Sequence, residues 1–188
     1  MNSASAWTLG LFVLCSAAVG FSPAHAQTIA NGPYYATPSW DQTLPSHTRF
    51  IVLSNFDSAA VLDRETGLVW ERSPDGTSLS WFAASIACLK SPLGKRQGWR
   101  LPGIQELLSL RDPSAVGFFA LPNGHPFIIP SMSNYLFWST TVAADPTLFP
   151  SVYTVPMTSG GVGVSAHDKS LPLLHRWCVR GGQGVDPQ

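Results

Sequence analysis

The segment GWRLPGIQELL (Gly98–Leu108) decides how the rest of the chain is read. Pro102 cannot sit inside a helix, and Gly103 is an acceptable N-cap, so a helix opens here. Glu106 falls three residues on, where a carboxylate favours the helix N-terminus. Ile104, Leu107 and Leu108 form the apolar stripe, with Leu110 partly covering it, and the helix ends before Pro113. Upstream, Ser80 is the N-cap of another helix that ends before Pro92. Its spacing puts Phe82, Ser85, Ile86 and Leu89 on one face, with Trp81 and Cys88 beside it.

Outward from these two helices the pattern becomes short and apolar. Phe50-Ile51-Val52-Leu53 is one run, Ala60-Val61-Leu62 a second and Leu68-Val69-Trp70 a third. The last two read as a hairpin with a five-residue loop, in which Gly67 supplies a left-handed or bulge conformation. Residues 113–134 hold Pro or Gly at six positions and read as a long loop, a feature that is often functional. Four more strands are expected: 135–138, 151–155, 161–164 and 176–180. Alternation in the last puts Trp177 and Val179 on one face, and Arg176, Cys178 and Arg180 on the other.

The chain has 188 residues, 45% of them apolar and 12% charged, with a formal net charge of zero. That composition suits one globular domain, or one domain plus a tail, and does not suit a disordered polyampholyte. A zero net charge provides no overall field toward nucleic acid or acidic lipid. Trp7–Phe21 is a 15-residue apolar stretch, short for a membrane span of about 20 residues, and it precedes the A-x-A pattern Ala24-His25-Ala26. Residues 1–26 therefore read as a signal peptide, although they hold no Lys or Arg. A lipoprotein reading would use Cys15, but Leu14 stands before it where a small residue is expected. The alternative of a retained membrane anchor is weakened by the shortness of the stretch. Residues 27–48 read as an extended arm carrying Tyr34, Tyr35 and Trp40, residues 49–182 as the domain, and residues 183–188 as a tail.

Signal removal takes Cys15 and leaves Cys88 and Cys178. Two cysteines in an exported chain suggest one disulfide; the alternative is two unpaired buried thiols. A bond closing roughly 90 residues contributes about 4–5 kcal/mol in the chain-entropy model. A metal site on these thiolates would need two further ligands, which no neighbouring His spacing supplies.

Five blocks follow one another in a specific order: VLDRETGLVW (61–70), a helix bearing Cys88, GWRLPGIQELL (98–108), FWSTT (137–141) and RWCVR (176–180). Over about residues 49–182 this succession resembles the Lcl C-terminal domain family, named from a bacterial collagen-like adhesin. The resemblance implies an α+β, C-type-lectin-like fold: two helices, a small antiparallel sheet, long loops and one disulfide. It implies that Cys88 pairs with Cys178, the same pair that the cysteine arithmetic reaches. The named adhesin domain is associated with sulfated glycosaminoglycans, host surfaces and trimers. Some relatives carry an extra Cys where Glu71-Arg72-Ser73 stands here. No collagen-like stalk is present, so a stalk-driven trimer is not supported.

Trp70, Trp99, Trp138 and Trp177 lie inside these blocks, where they either stack on sugars or, more commonly for such residues, fill the core. Arg100 is either a ligand residue or an inward partner of Glu106 or Asp112. From Lys90 to Arg100 the chain carries Lys90, Lys95, Arg96 and Arg100 without an acid, a cluster suited to sulfate or carboxylate groups. Residues 57–75 carry Asp57, Asp63, Glu65, Glu71 and Asp75, which suggests a bipolar surface. The calcium loop of sugar-binding C-type lectins, E-P-N or Q-P-D with a W-N-D strand, is missing, and loop 113–134 has no acid. No calcium site is expected there. Formylglycine-generating oxidases share a related fold but need reactive cysteines. His167-Asp168 is a conceivable base and orienter without an assigned nucleophile.

The expectation is an exported, non-enzymatic binding module for an extracellular glycan, a sulfated polysaccharide among the candidates, or a surface protein. The alternatives are a structural component of the envelope and, less favoured, an oxidase-related enzyme. Ligand-binding candidates are Lys90, Lys95, Arg96 and Arg100 from the basic segment, and Asn123 and His125 from the loop. No cofactor, metal, nucleic acid or membrane span after signal removal is expected, and the location is periplasmic or extracellular.

Overall fold

The computed structural model describes residues 44–144, 150–161, 163–171 and 174–181. It opens with a helical turn, α1 (Ser46–Arg49), which leads directly into β1 (Phe50–Val52). β2 (Ala60–Asp63) and β3 (Val69–Glu71) form the expected hairpin, with Val61 opposite Trp70, and β1 pairs antiparallel with β2 to extend it into a meander. Gly67 stands at φ +71°, and its N–H closes the turn on the Asp63 carbonyl at 2.8 Å. A side chain at that φ would be strained, which is why the hairpin uses glycine there.

Between β3 and the second sheet lie α2 (Trp81–Leu89) and α3 (Ile104–Ser109). Ser80 Oγ accepts the Ala83 N–H, and Glu106 Oε2 accepts the Gly103 N–H at 2.8 Å, so both helices start where their sequences say. β4 (Leu136–Val142), β5 (Ser151–Pro156) and β6 (Ser165–Asp168) form a separate antiparallel sheet. β7 (Val179–Arg180) joins the first sheet beside β3. The architecture is α+β, with two small sheets where one was expected.

Two expected strands change. Of the expected strand 161–164, the described residues Gly161, Gly163 and Val164 are not in a strand: Gly161 N–H closes a turn on Thr158 O, Gly163 stands at φ +70°, and pairing with β5 is at Ser165–Asp168. Glycines add no side chain to a sheet face and accept turn geometry, so the turn wins. Only Val179 and Arg180 of the 176–180 run are paired strand residues. Next to them the Glu71 N–H donates to Cys178 O at 2.9 Å, and side chains add to the hold on residues 177 and 178. Trp177 Nε1 donates to Glu71 O at 2.7 Å, and Glu71 Oε2 accepts the Cys178 N–H at 3.1 Å.

Strand alternation sends side chains into two cores. Val61, Trp70, Phe137, Trp177 and Val179 enter one, capped by Leu107 of α3 and by Leu110 just after it. Ala60, Leu62, Trp138 and Cys178 enter the other, together with Ala84 and Cys88 of α2. The expected split of Trp177 and Val179 from Cys178 holds. β2 is buried along its whole length because both faces are covered. Cys88 and Cys178 are bonded, with 5.4 Å between Cα atoms, and tie α2 to the approach of β7.

The helices differ in which face they bury. The α3 stripe points inward as expected. The α2 stripe does not: Phe82, Ile86 and Leu89 are 67%, 37% and 64% exposed, while Ala84 and Cys88 are buried. The disulfide and the small Ala84 bring the opposite face onto the sheet. Trp81 reinforces that choice by donating Nε1–H to Ser139 O at 2.8 Å.

Three of the five acids between 57 and 75 are internal, which removes the expected bipolar surface. Arg49 donates Nε–H to Asp63 Oδ1 at 2.9 Å and Nη2–H to Asp63 Oδ2 at 2.8 Å, and Glu65 Oε2 lies 3.2 Å from its Nε. Glu71 pairs with Arg176 at 3.1 Å. Burial pushes the Glu71 carboxyl above its ordinary range, although Arg176 and the Cys178 N–H pull it down. Breaking such a buried pair on one side costs about 3–5 kcal/mol, because it strands the other charge.

The expected signal segment 1–26, the tail 183–188 and most of the arm 27–48 lie outside the described residues. Of the arm, residues 44–48 are described. Leu44 N–H donates to Glu65 Oε1 at 2.6 Å, and residues 46–48 belong to α1.

Candidate functional site

Two surface regions collect polar chemistry, one at each end of β1. At its start, α1 faces the beginning of the long loop across an open cleft of about 500 Å³. The cleft is lined by Ser46, His47 and Arg49 on one side and by Asp112, Ser114 and Asn123 on the other. The chain builds the second wall locally. Asp112 Oδ1 accepts the Ser114 N–H at 2.8 Å and its hydroxyl at 2.6 Å, forming an Asx-type turn. Asp112 N–H donates to Ala120 O, and Ala120 N–H to Met157 O, both at 2.9 Å, so the loop is pinned to the end of β5.

The cleft floor is electrostatically settled, since the buried Arg49 is held by Asp63 and also donates to Ser109 O. The rim offers a carboxylate, a carboxamide, two hydroxyls and an imidazole. These are donors and acceptors in the mixture that neutral hydroxyl-rich ligands use. Of these, the Ser114 hydroxyl donates to Asp112.

At the far end of β1 the chain turns through Ser54–Phe56 and meets the turn Leu93–Lys95. Phe56 is the hub. Arg96 and Arg180 place their guanidinium carbons 5.6 and 5.9 Å from its ring centre. Lys95, 85% exposed at its side chain, pairs with Asp57 at 3.2 Å. Gly94 is needed for this approach, since a Cβ there would sit 2.5 Å from Phe56 Cδ1. Lys95 itself stands at φ +56°, an unusual backbone for a lysine.

The six sequence candidates therefore separate. Lys95 and Arg96 meet at the Phe56 tip, and Lys90 is exposed at the C-terminal end of α2. Arg100 turns inward to a two-bond pair with Glu106, both bonds 2.7 Å, and to Gly181 O at 2.9 Å. Asn123 is exposed and lines the cleft. His125 is half-buried near it, where Nδ1 accepts the Phe127 N–H at 3.2 Å, and burial lowers its pKa.

Alternation placed Arg180 on the face of the last strand opposite Trp177 and Val179, but gave no sign of its partners. The cleft residues before Arg49 were hidden, because no sequence signal brings 44–49 to 112–124. All four block tryptophans are fully buried, and three of them donate Nε1–H to carbonyls, which removes them as sugar platforms. The exposed aromatic of the long loop is Phe118, 63% exposed and 5.1 Å from the rings of both Phe119 and Tyr135. His167 Nδ1 lies 3.0 Å from Thr154 Oγ1, and Asp168 Oδ1 accepts from Ser170, so the two neighbours do not act as a pair. Among the described residues no group of three or more His, Cys, Asp or Glu side chains is placed to hold a metal ion.

A family model described as the Lcl C-terminal domain matches residues 59–180. No curated protein and no solved structure matches the chain.

Proposed function

The chain belongs to the Lcl C-terminal domain family, and on that premise we propose that its mature form is an exported, non-enzymatic binding module for an extracellular glycan. The observation that carries this reading is the polar cleft between α1 and the 112–124 wall, with Asn123 on its rim. Such a cleft suits sugar hydroxyls, which need paired donors and acceptors more than charge. A C-type-lectin-like fold is supported by the helix-to-last-strand disulfide, the two helices and the irregular run 113–134. The disulfide also favours an oxidising compartment, periplasmic or extracellular. Described residues contain no helix long and apolar enough to cross a membrane.

A second reading, binding of a sulfated polysaccharide, is favoured by the exposed Lys95 and Arg96 at the Phe56 tip. One experiment separates the two. The oxidised protein is screened on immobilised neutral and sulfated glycans, beside Asn123→Ala and Lys95→Glu/Arg96→Glu. A cleft ligand weakens about fivefold to tenfold in Asn123→Ala, the worth of one or two hydrogen bonds, and resists salt. A tip ligand is lost in the charge-reversed protein and elutes with salt. Retention of no glycan by any form overturns the glycan reading and leaves a structural role in the envelope.

A further inference from the structure

We propose that the outward face of α2 docks on an anionic lipid bilayer. Phe82, Ile86 and Leu89 are spaced i, i+4, i+7 and are the exposed large apolar residues of this helix. They lie on the side opposite Ala84 and Cys88. Lys90 follows Ile86 at i+4 and is exposed on the same side. No charge interrupts the helix, WFAASIACL. The segment from Gly76 to Gln105 contains no acid at all. Lys95, Arg96 and Arg180 stand at the Phe56 tip, beyond the C-terminal end of the helix, with Asp57 as a nearby counter-charge.

Single exposed apolar side chains are ordinary; three in line on one helix face, ending in cations, are not. That arrangement fits a membrane interface, where apolar side chains enter the headgroup–acyl boundary and Lys or Arg meet the phosphates. The face is also pre-organised. The disulfide and the Trp81–Ser139 hydrogen bond already fix α2, so docking orders no new backbone.

A second copy of the chain fits less well. Three side chains per copy fall short of the roughly 1,200–2,000 Å² of a stable interface. The zero net charge of the chain is no obstacle, because the cations act on lipid within a Debye length, about 8–10 Å.

The test is flotation of the oxidised protein with vesicles of phosphatidylcholine alone and of phosphatidylcholine containing phosphatidylglycerol. Phe82→Ser/Leu89→Ser and Lys90→Gln/Arg96→Gln are run beside it, with thermal melts to confirm that each is folded. The expected result is binding to the anionic vesicles, reduced about tenfold or more by either double variant, since each surface cation contributes roughly fivefold. Binding to neutral vesicles is expected to be much weaker. Three outcomes overturn the proposal. One is no flotation of the folded protein. Another is flotation that depends on the cations but is unchanged in Phe82→Ser/Leu89→Ser, which would mean polyanion binding alone. The last is absence of vesicle binding together with a concentration-dependent dimer that Phe82→Ser/Leu89→Ser dissolves, which would give the face to a second copy. Glycan retention in the cleft does not involve α2, so failure here leaves the Asn123 result readable on its own.

Discussion

α2 and α3 start from similar instructions and end with opposite outcomes. Each opens at a cap that the sequence marks, and each carries an apolar stripe at helical spacing. In α3 the stripe enters the core, where Leu107 and Leu110 are fully buried. In α2 the stripe faces solvent, and the small residues Ala84 and Cys88 are fully buried instead. Periodicity therefore finds a helix and its two faces, but it does not decide which face goes in. A covalent bond and close approach through a small residue outweigh the burial of three larger side chains.

The largest effect should come from removing the bond that turns α2. Cys88→Ala/Cys178→Ala is expected to lose about 4–5 kcal/mol in denaturant unfolding. A loss under about 1 kcal/mol would mean that packing alone orients the helix. The next test sets the two stripes against each other. Leu107→Ala should cost about 3 kcal/mol, the usual range for an enclosed leucine, whereas Leu89→Ala should stay within about 0.5 kcal/mol. Equal costs would break the contrast between the helices.

The smallest effect concerns His125, beside the cleft. Burial lowers its pKa below the ordinary 6.5, so the folded state disfavours the imidazolium. The unfolded chain then binds the proton first as pH falls. Stability is complete above about pH 6.5 and declines as pH drops from there toward the lowered folded value. Protonation also removes the Nδ1 acceptor of the Phe127 N–H. Exchange of the Phe127 amide, corrected for the intrinsic rate, should accelerate on acidification and become flat across this range in His125→Ala. An amide insensitive to pH in the native protein would show that the loop is held without this bond.

Much of the fold was readable locally. The hairpin around Gly67, both helix caps and the irregular run 113–134 follow from turn chemistry and from where proline can stand. The 161–164 segment misled because alternating Gly and Val looks like a strand when turn and strand are judged without partners. The candidate site was less legible. Arg100 was readable as an inward partner of Glu106 or Asp112, and Glu106 six residues on holds it. Lys95 and Arg96 do form a tip, but the aromatic hub Phe56 comes from a different part of the chain. The cleft joins residues more than 60 positions apart, and spacing carries no information about that.

By itself the sequence determined the two main helices and their caps, the hairpin around Gly67, the pair of cysteines available for a bond, and the excess of apolar over charged residues that makes a core. These depend on backbone sterics, hydrogen-bond donors and side-chain polarity within a few residues. Only the tertiary structure decided which face of α2 is buried, which acids are internal, and which polar side chains share a cleft. Those outcomes depend on desolvation. A carboxylate such as Asp63 enters the core because Arg49 meets it there, and Phe82 stays outside because Ala84 and Cys88 already occupy the contact.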